Sequence, residues 1–157
     1  MEIEVDYKSI TSIISKLDKL GKEISTDTIL LELAQQVKDM IFLRTFTSKD
    51  IDGNSFLPYT PKYAEKKGVA TSAVNLYSQK TGNHMMHDMA VRIISNEASE
   101  VYFKSKGKSE LALRHNTGDI RGGKKRKFFG VNNDEIGKVI ATYQKHIQNT
   151  LRGLQLA

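Results

Sequence analysis

Apolar residues recur at helical spacing in three stretches of the chain and at strand spacing in one. Ile10, Ile13, Ile14, Leu17 and Leu20 share one helical face, which predicts an amphipathic helix over 6–20 with Asp6 as its N-cap and Gly21 just past its end. A second stripe, Ile29, Leu30, Leu33, Ala34, Val37, Met40 and Ile41, follows the capping candidates Ser25, Thr26 and Asp27 and reaches Phe46. Its breadth predicts a helix that lies across a sheet or between partners. The third stripe, Ile136, Val139, Ile140, Tyr143 and Ile147, predicts a helix over 133–152. Asp134 and Glu135 sit in its first turn, where the helix dipole favours acids. Between these, Val91, Ile93 and Ile94 precede an Asn96–Ser99 turn. Val101 and Phe103 then share one face, with Tyr102 on the other, which predicts a hairpin.

The remaining segments are less regular. Residues 47–60 are polar and contain the turn dipeptide Asp52-Gly53. Thr60-Pro61 opens a short helix over 61–67 that Gly68 stops. Residues 69–81 carry few regular signals, so 47–82 reads as long, irregular and mobile. Leu111 to Arg114 reads as a short helical turn closed at Gly118. The resulting fold class is α+β: a small antiparallel β-sheet packed by long helices, with a long, partly irregular loop. A length of 157 residues suits a single domain, with 1–25 as an N-terminal helical extension.

Composition narrows the class further. Cysteine is absent, which excludes disulfides and thiolate chemistry. No apolar run approaches the ~18 residues of a membrane span. The opening MEIEVDYK is acidic and lacks an apolar signal-peptide core. These features predict a soluble, intracellular protein.

Charge is unevenly placed. From Lys104 to Lys127 there are nine Lys or Arg and two acids, a net of +7, whereas the whole chain carries +6 and the remainder therefore −1. The density peaks in DIRGGKKRKFFG, residues 119–130, where Lys124, Lys125, Arg126 and Lys127 run directly into Phe128, Phe129 and Gly130. Packed like charges repel, so the run is expected to be solvated or held against an acidic partner. The phenylalanines want burial. The pattern predicts a basic loop, Arg121 and Lys124 to Lys127, that contacts an acidic protein surface or DNA, anchored at its base by Phe128, Phe129 and Gly130. A purely solvated loop is the plainer reading of the same run. Phosphate contact by GGKKRK, with base stacking by the phenylalanines, defines the rival class, a small basic nucleic-acid-binding protein.

Catalytic and metal chemistry find little footing. His84 and His87 stand three apart beside Asp88, as some metal ligands do, but His115 and His146 are distant and no further ligand is evident. No nucleophile-elbow, phosphate-loop or dinucleotide-binding motif occurs. The Arg121-Gly122-Gly123 step has no helix start beside it to complete an anion cradle. No catalytic residue, metal ligand set or cofactor site is therefore expected.

The order of the motifs resembles the phage virion morphogenesis family of tail-completion proteins. Arg44, Asp52-Gly53, Phe56, Pro58, Thr60, Tyr63 and Lys66-Lys67 are similar to the first block of that family. Leu76 with Lys80-Thr81-Gly82 and Met85 or Met86 resembles the second, and His115-Asn116-Thr117-Gly118 the third. Arg126-Lys127-Phe128-Phe129-Gly130, followed by Asn133-Asp134-Glu135-Ile136, resembles the fourth. The likeness spans about 40–147. It departs at Asn116, where glutamine is usual, at Phe129 (leucine), at Lys127 (proline), at Phe56 (tryptophan), and at the insertion-like 69–75. The resemblance implies a structural virion protein of the neck or tail end, not an enzyme, that completes the tail and joins it to the head. It implies a homo-oligomeric ring, commonly of six subunits, in the virion, and in the host cytoplasm during assembly. The partners it implies are tail-tube, tail-terminator and neck or connector proteins, with DNA in the lumen as a further contact and no membrane.

Overall fold

The structure, a computed structural model, describes residues 15–16, 18–22, 27–74, 76, 84–119 and 124–153. Helix α1 is Asp27–Phe46, α2 is Pro61–Lys67, α3 is Lys106–Thr117 and α4 is Asn133–Gly153. A 3-10 turn, Met85–Asp88, leads into strands β1, Met89–Ser95, and β2, Ala98–Phe103, which pair antiparallel. The fold is α+β, as the periodicity predicted.

A two-stranded hairpin is marginal alone and needs a packed face. Its register pairs Met89 with Phe103, Val91 with Val101 and Ile93 with Ser99, so one face is largely apolar. The other pairs Ala90 with Tyr102 and Arg92 with Glu100, where a cross-strand ion pair forms and Arg92 lies 4.5 Å from the Tyr102 ring. Helix α1 packs on both strands and on α4. The Ser99 hydroxyl donates to the Leu30 carbonyl at 2.7 Å, which pins β2 to the start of α1. The wide apolar stripe of α1 thus has two jobs: it covers the hairpin and it seats α4.

The core lies at the C-terminal half of α1. Ile41, Val74, Met85, Met86, Met89 and Phe128 are its most buried members, joined by Phe56, Tyr59, Ala64 and Ala112. Four of these ten, Phe56, Tyr59, Val74 and Phe128, come from irregular backbone, and the first three qualify the expectation for 47–82. Residues 47–60 are irregular, but they are tied down. Asp50 Oδ1 accepts from the amides of Asp52 and Asn54 at 3.0 and 2.8 Å, an Asx-type turn completed by Gly53 at φ +80°. The Phe56 amide donates to Ser48 and the Ile51 amide to Lys127. Val74, inside the insertion-like stretch, is fully buried, and the Tyr59 amide reaches Thr71 beside it.

Other elements differ in extent. Thr60 and Pro61 begin α2 as expected, although the threonine hydroxyl makes no cap bond, and Gly68 closes it at φ +69°. Helix α3 is a full three turns instead of the single turn over 111–114, and it closes at Gly118. Its start is fixed by Asp88, which accepts from the amide and hydroxyl of Ser105. Residues 18–22 are helical through Gly21, so that glycine does not end the helix. Most of the predicted 6–20 helix lies outside the described residues, as do Arg121, Gly122, Gly123 and Thr81-Gly82.

Candidate functional site

Several of the residues singled out in the sequence, Arg44, Asn116, Arg126, Phe128, Phe129, Gly130 and Glu135, meet at the junction of α1, α3, α4 and the 124–131 segment. At the centre is Arg44, from the last turn of α1. Its Nη1 pairs with Glu135 of α4, and both side chains are buried, at 8% and 10% exposure. Its Nη2 donates to the carbonyls of Phe128, at 2.7 Å, and Gly130, at 2.8 Å. Glu135 also caps its own helix. Its Oε2 accepts from the Asn132 amide at 3.0 Å while Asn132 Oδ1 accepts from the Glu135 amide at 2.9 Å, a reciprocal capping box. Asn132 Nδ2 donates to the Ile51 carbonyl at 2.9 Å and so ties the 47–60 loop into the same network.

Asn116 clamps the other side of the segment. Its Oδ1 accepts from the amides of Phe128 and Phe129, and its Nδ2 donates to the Phe129 carbonyl at 2.9 Å. Phe128 is fully buried, edge-on to Phe103 and His115, while Phe129 is half-buried against Phe103. Gly130 sits at φ +141°, and a Cβ there would stand 2.9 Å from Ile51 Cδ1. The backbone conformation is what calls for glycine; the Ile51 methyl, at the end of a flexible side chain, could shift.

The basic run does not behave as a uniform exposed loop. Lys125 and Lys127 point outward, whereas Arg126 and Phe128 point inward, the alternation of extended backbone. Lys124 Nζ donates to the Pro58 carbonyl. Lys127 reaches Asp52 at 3.6 Å across two exposed side chains. Arg126 is 5% exposed, so it is no surface cation. Its guanidinium lies 5.4 Å from the Tyr59 ring, and its amide donates to the His115 carbonyl at 2.7 Å. Among the described residues the segment is a strap laid over the 47–60 loop, with Lys125 and Lys127 exposed.

Burial and like charge perturb this corner. Burial lowers the Arg126 guanidinium pKa, partly opposed by Tyr59 and Tyr63. Burial raises the Tyr59 phenol, against the pull of Arg126. His115 is pushed down to about 4, by burial first and then by Arg126 and Lys67. It is neutral near pH 7.

His84 and His87 are neighbours, with ring centroids 5.0 Å apart, and His87 stacks on Phe42 at 6.1 Å. Among the described residues no group of three metal-ligating side chains gathers there or elsewhere. Among the same residues no helix is long and apolar enough to cross a membrane. The sequence reading missed the capping role of Glu135, although Asn132-x-x-Glu135 carries that signature. No family model, no curated protein and no solved structure matches the chain.

Proposed function

We propose that this chain is a structural subunit of the neck or tail end of a tailed phage or phage-like particle, which completes the tail and joins it to the head as a homo-oligomeric ring. One observation carries the reading. Arg44, the Asp52-Gly53 loop, His115-Asn116, the 126–130 segment and Glu135 are far apart in the chain and belong to the ordered blocks that carry the resemblance. They form one hydrogen-bonded junction. Such a junction explains why these residue types are needed together without any chemistry being performed: it fixes the strap and the loop on a rigid base.

The surface fits an assembling subunit. Leu43, Phe46, Leu57, Tyr63, Leu113 and Ile140 are each more than half exposed, spread over several faces. A closed ring needs two different contact patches on every subunit. The nucleic-acid reading is weaker, because Phe128 is buried away from any base and Lys124 and Lys127 already have partners in the fold. The test is complementation. A particle lacking this protein should yield separate heads and tails, and adding the purified chain should join them. Normal joining in its absence refutes the proposal.

A further inference from the structure

Among the described residues two arginine side chains are buried, and their surroundings differ. Arg44 is matched by Glu135 and two carbonyls. Arg126 is more than nine-tenths buried, yet no carboxylate among the described residues lies within ion-pair distance of it. Beyond the Tyr59 ring its side chain makes one long polar contact, Nη2 to the Leu57 carbonyl at 3.5 Å, and its Nε, like that of Arg44, is buried with no acceptor. His115 Nδ1, beside it, is likewise buried without a partner. A second cation, Lys67 Nζ, lies 4.6 Å from the same Tyr59 ring and donates to its hydroxyl at 2.7 Å. Arg126 is thus a buried cation with no matching carboxylate among the described residues, whereas buried charges in proteins are normally paired.

We propose that Arg126 is the seat for a carboxylate side chain supplied by a neighbouring protein chain. The inference deepens the assembly reading, and rests on it for the partner being a protein. The rim favours that partner. Leu57 and Tyr63, at 54% and 51% exposure, flank the site, and an arginine framed by exposed apolar and aromatic groups is the make-up of an interface centre. Tracking a nucleic-acid backbone instead calls for a row of available surface cations. Here Lys124 and Lys127 are engaged within the chain. Nη2 reaches the Leu57 carbonyl at only 3.5 Å, a weak bond that a carboxylate accepting two parallel N–H bonds from the guanidinium fork would replace.

The test follows the Arg126 Nε–H resonance of the full chain by NMR during titration with sodium acetate, against sodium chloride at equal ionic strength. A saturable shift specific to acetate, with a rise in Tm, is expected. Arg126→Met keeps the packing on Tyr59 and removes the unmatched charge. It should raise Tm in chloride by about 2–4 °C and abolish the acetate effect. If Arg126→Met does not fold, Arg126→Lys serves, and should weaken the acetate response by losing the fork. Equal response to both salts overturns the proposal, as does a resonance moved by a short DNA duplex and not by acetate. Native mass of the same sample separates the two claims: an acetate response in a chain that never oligomerises sinks the ring and leaves the carboxylate seat.

Discussion

Removing the Glu135 carboxylate tests the junction that underlies the account. Glu135→Ala deletes the partner of Arg44 and half of the capping box at once. Breaking a buried ion pair from one side costs about 3–5 kcal/mol, because the remaining charge stays buried. Loss of the cap adds about 1 kcal/mol. Arg44 keeps its bonds to the Phe128 and Gly130 carbonyls, which offsets part of this. A net loss of about 3–4 kcal/mol is expected, a large share of the ~5–15 kcal/mol that holds a domain together. Urea unfolding followed by circular dichroism reads it as a lower midpoint with unchanged slope. Arg44→Met combined with Glu135→Ala should cost less than the sum of the single changes, since no charge is then stranded. A loss under about 1 kcal/mol for Glu135→Ala, or strict additivity in the double variant, would refute the reasoning.

Further consequences can be measured in the same way. Phe128→Ala should cost about 3–5 kcal/mol in urea melts, and Phe129→Ala clearly less, because only Phe128 is fully buried; equal effects would contradict this packing. Gly130→Ala should destabilise chiefly through its φ of +141°, and an unchanged Tm would show that the segment can relax. Amide exchange should be slow at Ile51 and Phe56, which donate to Lys127 and Ser48, in place of the fast exchange the polar composition of 47–58 suggests. His115 is depressed to about 4 from an ordinary value of 6.5, so between these values the unfolded chain binds more protons. Stability attributable to His115 should be fully present above about pH 6.5 and lost as pH falls toward 4. His115→Gln should flatten that slope, and an identical slope would exclude the histidine as its source.

What the sequence disclosed follows from periodicity. Helices α1 and α4 have long, regular apolar patterns and were legible almost to the residue, whereas the hairpin was legible in place but not in its turn, since Ala98 and Ser99 of the expected Asn96–Ser99 turn belong to β2. Helix α3 was not, because Lys106, Gly107, Lys108 and Ser109 fill its first turns and only Ala112 is buried. The burial of Arg126 is not marked by local charge, because three lysines surround it. A period-two reading of Lys125, Arg126, Lys127 and Phe128 would have sent alternate residues inward. The bond between Arg44 and Glu135 spans 91 positions, which no local pattern reports. Similarly, Phe56, Tyr59 and Val74 are core residues supplied by irregular backbone, where neither helical nor strand spacing marks a buried face.

The central claim is that the chain is a ring-forming subunit of a phage neck or tail end, and the native mass of the purified full-length protein, alone and mixed with tail components, tests it most directly. The account predicts a single closed oligomer, formed either alone or on meeting its partner and weakened by Arg126→Met. A chain that stays monomeric or dimeric under every condition, while binding duplex DNA with an affinity that falls steeply with salt, would contradict it.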